Sequence, residues 1–169
     1  MIGLLLCVTV LAQPRARIDF DHLISELPDL PWDFEIRYVV HSGPATDMLR
    51  IHYDAHSEVV RWRPDDPGSL AEVCSSQLDS KTMRHLLELL RDKKFNDLPS
   101  DNELLHRAAL TTDATVSVRL GRTIVSKIDR NERDNPALKQ IEAYLDDLKT
   151  SVTADPEAKC ETQSVPAKP

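Results

Sequence analysis

The sequence predicts an α+β domain in which an antiparallel sheet of about five strands carries helices on one face. Short segments of alternating apolar and polar residues indicate the strands, and two longer segments with apolar residues three to four positions apart indicate helices. Their order along the chain is βββ-α-ββ-α, preceded by a short accessory helix. The two longer helices are therefore expected to pack on the same side of the sheet.

The central helix is predicted within residues 78–98. Asp79 can cap its first turn, because a carboxylate accepts hydrogen bonds from the free backbone N–H groups there. Pro99 follows as a stop. The apolar stripe of this helix consists of Met83, Leu86, Leu87 and Leu90. A helix with one apolar stripe needs a partner surface, and the neighbouring strands supply it.

The last helix is predicted to begin at Asn135, a capping residue, followed by Pro136, whose missing N–H costs nothing at the first helical position. Glu142 is expected to face water. Its apolar stripe is Leu138, Ile141, Leu145, Leu148 and Val152. The accessory helix is predicted between Asp19, as cap, and Pro28, as stop.

Three strands are predicted before the central helix, over residues 34–40, 49–53 and 60–63, with a turn at 41–47. In the third strand we expect Val60 and Trp62 to face the core, with Arg61 and Arg63 facing out. Residues 64–76 are expected to form a loop.

A hairpin is predicted around Gly121, and its register has two solutions. A two-residue turn would bury Thr123 and Val125, whereas a three-residue loop would bury Ile124 and Ile128. Hydrophobicity favours the longer loop.

The N-terminus has the pattern of a signal peptide over residues 1–12. Its apolar run is too short to cross a bilayer, and Val10 and Ala12 are small enough for a cut after Ala12. No basic residue precedes the run, which leaves open a start further upstream or a buried strand. Cys7 follows Leu6 rather than a small residue, which disfavours lipidation. We therefore expect a periplasmic or extracellular protein without stable membrane insertion.

The remaining organisation is predicted as a lead-in at 13–33, one α+β domain at 34–152, and a tail at 153–169 that is disordered except near Cys160. Cys74 and Cys160 are left once the leader is removed. An even pair in an exported chain predicts a disulfide, with two unpaired thiols as the alternative.

The composition and motifs favour a noncatalytic protein without a cofactor. The formal net charge of −7 argues against nucleic-acid binding, which depends on Lys and Arg contacts to phosphates. Phosphate-binding glycine loops, nucleophile elbows and Cys-x-x-Cys motifs are absent from the sequence. The alternative is a small metal-binding protein or enzyme that uses His41, His52, Asp54 and His56.

A calcium loop is a further possibility. Its candidate ligands are Asp129, Asn131, Asp134 and Asn135. Their spacing lacks the glycine turn and terminal glutamate of an EF-hand, which favours a polar turn leading into a helix cap.

Arginines are concentrated at the positions expected to face outward on the strands. They are Arg37, Arg50, Arg61, Arg63 and Arg119. Since guanidinium groups suit carboxylates and interface hot spots, this pattern predicts a docking face for an acidic protein partner. A solvated sheet face without a partner is the alternative.

Three sequence segments resemble the emfourin group, small bacterial inhibitors of thermolysin-like metallopeptidases. They are His41-Ser42-Gly43-Pro44-Ala45, Phe95-Asn96-Asp97-Leu98-Pro99 and Asn135-Pro136-Ala137-Leu138. The resemblance implies a noncatalytic domain that binds a peptidase through the turn at 41–46, with His41 and Gly43 as contact residues. The chain differs from that group in having one glycine in this turn and an extra strand at 59–63.

Overall fold

The computed structural model describes residues 17–62, 70–99, 113–130 and 135–164. Several predicted features lie outside these ranges: the signal peptide at 1–12 and the residues Arg63, Asn131 and Asp134.

Three α-helices occur in the described part of the chain: α1 (Phe20–Glu26), α2 (Ser80–Asp92) and α3 (Pro136–Ala154). A 3₁₀ turn, Phe95–Asp97, follows α2. The predicted starts are confirmed, because the side chains of Asp19, Asp79 and Asn135 accept hydrogen bonds from first-turn backbone N–H groups.

Within the described ranges, seven strands form one antiparallel sheet, two more than predicted. Across the sheet they lie in the order β6-β5-β1-β2-β3-β4-β7. Their bounds are β1 Phe34–Ser42, β2 Ala45–His52, β3 His56–Trp62, β4 Leu70–Gln77, β5 Asp113–Leu120, β6 Thr123–Arg130 and β7 Lys159–Ser164.

All helices of the described chain pack on one side of this sheet, which we call the helix face. Strand residues such as Ile36, Leu49 and Val118 are buried there in one cluster with Leu86 of α2 and Ile141 of α3. Every strand residue in this buried cluster lies on that side of the sheet. The predicted α+β class and the placement of both long helices are thus confirmed.

The first hairpin turns within two residues, so the predicted turn at 41–47 is wrong in length. β1 runs to Ser42 and β2 begins at Ala45, which leaves only Gly43 and Pro44 between them. Gly43 has φ of +56°, a conformation that L residues rarely adopt. Positive φ at the first central position only matches a type II′ hairpin turn, because the fixed negative φ of Pro44 excludes type I′.

The predicted register of the third strand is wrong. Val59 faces the helix face, so Arg61 does too, and Val60 and Trp62 face the other way. The connection from β2 consists of three residues that end at Ala55 in the left-handed region (φ 62°), and this loop sets the register. Arg61 is accommodated because its guanidinium approaches Glu72 and Thr153.

The β5–β6 hairpin takes the shorter of the two predicted turns. Gly121, with φ of +60°, and Arg122 connect the strands, and Val118 pairs with Val125. Val125 is therefore buried and Ile124 is 57% exposed, contrary to the preference drawn from hydrophobicity. Turn geometry determined this register, since a slip of one residue exchanges the two faces of a strand.

Two strands occupy segments that were predicted to be a loop and a tail. β4 lies in the predicted loop at 64–76, and β7 lies in the tail, where its described side chains are exposed. Cys74 pairs with Cys160 across these strands and forms the predicted disulfide. The covalent bond and the backbone ladder together hold β7 at the sheet edge.

No helix of the described residues combines the length and apolar character needed to cross a membrane.

Candidate functional site

The side of the sheet opposite the helices is the candidate functional site, and we call it the open face. In the described chain its strand residues stay outside the buried core cluster. Its central residues are Glu35, Arg37, Val39, Met48, Arg50, His52, Glu58, Val60, Val73, Thr115, Ser117, Arg119 and Ile128.

Three arginines on the open face converge on Glu35, whose residue surface is only 7% exposed. Arg37 Nη2 lies 2.8 Å from Glu35 Oε1, and Arg119 Nη2 lies 3.5 Å from Oε2. Arg50 Nε is 3.8 Å from the same Oε2. We call these four residues the Glu35 cluster. Glu35 lies on β1, between β5 and β2. Arg119 and Arg50 on those two strands therefore approach its carboxylate from opposite sides.

A second carboxylate, Glu58 on β3, lies beside this cluster. Its Oε2 is 3.3 Å from Arg50 Nη1, and the Nε2 atoms of His52 and His56 are each 3.7 Å from a Glu58 oxygen. The two imidazole rings stack with centroids 6.0 Å apart. Arg50 therefore connects the two carboxylates and links the whole arrangement into one network.

An apolar row crosses the open face next to these charged residues. Cross-strand neighbours run from β6 to β4 in the order Ile128, Thr115, Val39, Met48, Val60 and Val73. All of these side chains are half-buried. The open face thus combines guanidinium groups with a continuous apolar strip, as the cores of protein interfaces do.

The predicted arginine face is only partly realised. Arg37, Arg50 and Arg119 lie on the open face, Arg61 lies on the helix face, and Arg63 is outside the described residues. Carboxylates missed by the sequence reasoning lie among the arginines. The available signal was the alternation itself, which puts Glu35 on the same face as Arg37.

His41 and Gly43 lie at the far end of β1, where both are exposed. His41 Nδ1 is 3.0 Å from Thr46 Oγ1 across the hairpin. The two residues predicted as turn contacts therefore belong to an exposed hairpin end, separated from the Glu35 cluster along the strand.

No protein-family model matches this sequence, and no curated protein matches it either.

The four residues of the metal-binding alternative do not form one site. His52 and His56 are neighbours, but His41 lies near the opposite end of β1, and Asp54 Oδ1 accepts a hydrogen bond from the His56 backbone N–H. Within the described ranges no group of three or more His, Cys, Asp and Glu side chains is placed to hold a metal ion.

The calcium-loop candidates are also separated by the fold. Asp129 is buried on β6 and forms an ion pair with Lys139, whereas Asn135 caps α3. The predicted helix cap is confirmed for Asn135, whereas Asp129 is a buried strand residue and not part of a polar turn.

A buried ionic group lies between α3 and the helix face, and Glu142 belongs to it rather than facing water as predicted. Lys139 Nζ approaches Asp129 and lies 3.6 Å from Glu142 Oε2. Burial and the neighbouring Asp129 carboxylate raise the pKa of Glu142 to about 7.

Tyr38 extends this polar layer along α3. Its hydroxyl lies 3.1 Å from Asp146 Oδ2, and Lys149 Nζ lies over its ring, 5.5 Å from the centroid. Burial, followed by the Asp146 charge, raises the pKa of the Tyr38 phenol well above its usual value. The Asp146 and Lys139 side chains are 50% and 48% exposed, so this layer reaches from the core to the surface.

An open groove of about 550 Å³ lies between α1 and the Phe95–Asp97 turn. Two ion pairs lie along it: Arg17 with Asp97, and Arg91 with Asp21. Among the described residues that line it there is no histidine, serine or cysteine.

Proposed function

We propose that this protein is a noncatalytic binding module that docks a partner protein on the open face of its sheet. The observation that carries the proposal is the apolar row of Val39, Met48, Val60, Val73 and Ile128 beside the Glu35 cluster. A contiguous apolar patch on a protein surface marks an interaction site, and methionine and arginine are enriched in protein interfaces.

We also propose that the protein is exported. The Cys74–Cys160 disulfide supports this, because such bonds persist in oxidising compartments such as the periplasm and the extracellular space.

A peptidase is one class of partner that fits the emfourin resemblance, with the exposed hairpin end at His41 and Gly43 as a second contact. Support for this version comes from the resemblance and from the exposure of that hairpin end. It is compatible with docking on the open face, because β1 and β2 carry both surfaces.

Site-specific photo-crosslinking tests the proposal. The substitution Met48→p-benzoylphenylalanine puts a photoreactive group into the apolar row, and Lys81→p-benzoylphenylalanine puts the same group on the exposed side of α2 as a matched control. Illumination of cells that express each variant should give a discrete adduct with another protein from position 48 only. Mass spectrometry of the adduct identifies the partner and shows whether it is a peptidase.

Three results would contradict the proposal. They are the absence of any adduct from position 48, equal adducts from positions 48 and 81, and an adduct of twice the mass of the chain. The last would show that the open face pairs with a second copy of this protein instead of a different partner.

A further inference from the structure

The Glu35 cluster contains three guanidinium groups and one carboxylate. Arg37 and Arg119 both form their ion pairs with Glu35, and Arg50 also approaches it. Arg50 is matched by Glu58 on its other side. In the described part of the chain Arg37 and Arg119 therefore share one carboxylate between two guanidinium groups.

Both of these arginines remain accessible. Their side chains are 43% and 46% exposed, while Glu35 beneath them is almost fully covered. A guanidinium has five N–H donors, and each recorded contact with Glu35 involves one nitrogen of Arg37 or Arg119. The remaining Nη donors can serve an incoming anion, whereas the Nε atom of Arg37 is buried, and the Glu35 carboxylate fixes the position of the guanidinium groups in advance.

The surroundings of Arg37 restrict what that anion is attached to. Val39 lies two residues further along the same face of β1, about 7 Å away by strand geometry, and Met48 is its cross-strand neighbour. A ligand that fills this surface therefore presents a negative group and an apolar group at adjacent positions. An acidic polypeptide segment with interspersed apolar side chains has this chemistry, whereas a bare phosphate does not.

We propose that Arg37 and Arg119, held in place by Glu35, form a carboxylate-binding site for an acidic segment of the partner protein. Apolar side chains of that segment rest on Val39 and Met48. This inference rests on the proposed function, because it assigns the partner's chemistry at the same open face. Bidentate contacts between arginine and carboxylate supply the specificity.

A peptide titration tests the site directly. The probe is acetyl-Leu-Glu-Val-Glu-Leu-amide, the matched control is its Gln-for-Glu analogue, and the readouts are the NMR Nε–Hε signals of Arg37 and Arg119. We expect the acidic peptide to shift both signals and the backbone amides of Val39 and Met48. Absence of shifts up to about 10 mM peptide, or equal shifts with the Gln analogue, would overturn the inference.

Substitutions at Arg119 sharpen the test. Arg119→Gln should weaken peptide binding about tenfold, since a charge-assisted hydrogen bond is lost. Arg61→Gln, which alters an arginine on the helix face, should leave binding unchanged. Arg119→Lys keeps the charge without the planar fork and should restore part of the affinity, which also provides a second variant if the glutamine protein is unstable. Unchanged affinity in Arg119→Gln refutes the assignment.

Two further measurements distinguish other occupants. Inorganic phosphate that shifts the arginine signals as strongly as the acidic peptide would show a simple anion site and overturn the acidic-segment assignment. Sedimentation that shows a dimer lost in Arg119→Gln would identify a second copy as the occupant, with the same consequence.

Crosslinking separates this inference from the proposed function. If Met48→p-benzoylphenylalanine still captures a partner equally well when combined with Arg119→Gln, the open face binds proteins without the carboxylate site. That result would overturn the carboxylate-binding site but not the proposed docking on the open face. Failure of the Met48 position to capture any partner in the unaltered background removes the proposed function itself.

Discussion

Glu142 and Asp129 bring two carboxyl groups together beneath α3, with the Lys139 ammonium close to both. Two such groups cannot both ionise at low cost in a buried setting, so burial and Asp129 raise the pKa of Glu142 to about 7 from an ordinary value of 4.5. The folded protein therefore holds a proton at Glu142 at pH values where the unfolded chain has released it.

This proton makes stability depend on pH in a defined direction. Between about pH 4.5 and 7 the folded state binds more protons at Glu142 than the unfolded state, so the contribution of Glu142 to the free energy of unfolding falls as pH rises. Glu142→Gln should remove this fall, which amounts to at most about 3 kcal/mol. Urea unfolding of both proteins across that range measures the difference.

Asp147→Asn provides the matched control, because Asp147 is exposed on the same helix. This variant should keep the pH dependence of the unaltered protein. If the free energy of unfolding varies with pH in the same way in Glu142→Gln and in the unaltered protein, Glu142 is ionised in the folded state throughout this range.

At the scale of single elements, helix ends and hairpin turns are the features that nearby residues specify most clearly. Asn135 and Pro136 define the start of α3, and the Asn135 side chain accepts a hydrogen bond from the Leu138 backbone N–H at 3.2 Å. Gly43 and Gly121 place positive φ angles where two hairpins need them. Each of these features acts within four residues, which is why it can be recognised along the chain.

Removing the cap of α3 should weaken the fold. We expect Asn135→Ala to lower the free energy of unfolding by about 1 kcal/mol, because the first-turn N–H group loses its acceptor. Gln140→Ala, at an exposed position of the same helix, should change it by no more than about 0.5 kcal/mol. Chemical denaturation of the two variants compares them. Equal effects would mean that the cap does not stabilise α3.

At the scale of the whole molecule, the sheet separates two environments. The helix face is buried under three helices and contains the core together with the polar layer around Tyr38 and Glu142. The open face carries the Glu35 cluster and the apolar row. The Cys74–Cys160 bond joins β4 to β7 across a sequence separation of 86 residues, so one covalent link constrains half of the chain.

Reducing this disulfide should destabilise the protein and release β7. Closing so long a loop is worth about 4 to 5 kcal/mol in the chain-entropy model, and the exposed side chains of β7 add little core burial to hold it. Denaturation with and without a thiol reductant measures the loss, and hydrogen exchange should show faster exchange of β7 amides than of α2 amides.

The control for this experiment is Cys160→Ser, whose stability should not respond to the reductant. An unchanged unfolding midpoint in the reduced native protein, with β7 still protected from exchange, would show that the backbone ladder alone holds the strand.

The sequence by itself determined the features that depend on near neighbours: the helix starts at Asp79 and Asn135, their apolar stripes, the α+β class and the pair of cysteines available for bonding. It also placed Arg37, Arg50 and Arg119 on a common face, because strand alternation has a fixed period.

Only the tertiary structure decided the features that depend on distant partners. The sequence of β7 is polar and has no strand pattern of its own. It forms a strand because it pairs with β4 and is bonded to Cys74 through Cys160. The register of β3 and β6 followed loop geometry, which placed Arg61 and Asp129 on the helix face. Those charges are tolerated there because side chains of α3, Thr153 and Lys139 respectively, approach them. Such compensation is nonlocal, so hydrophobicity along the chain could not reveal it.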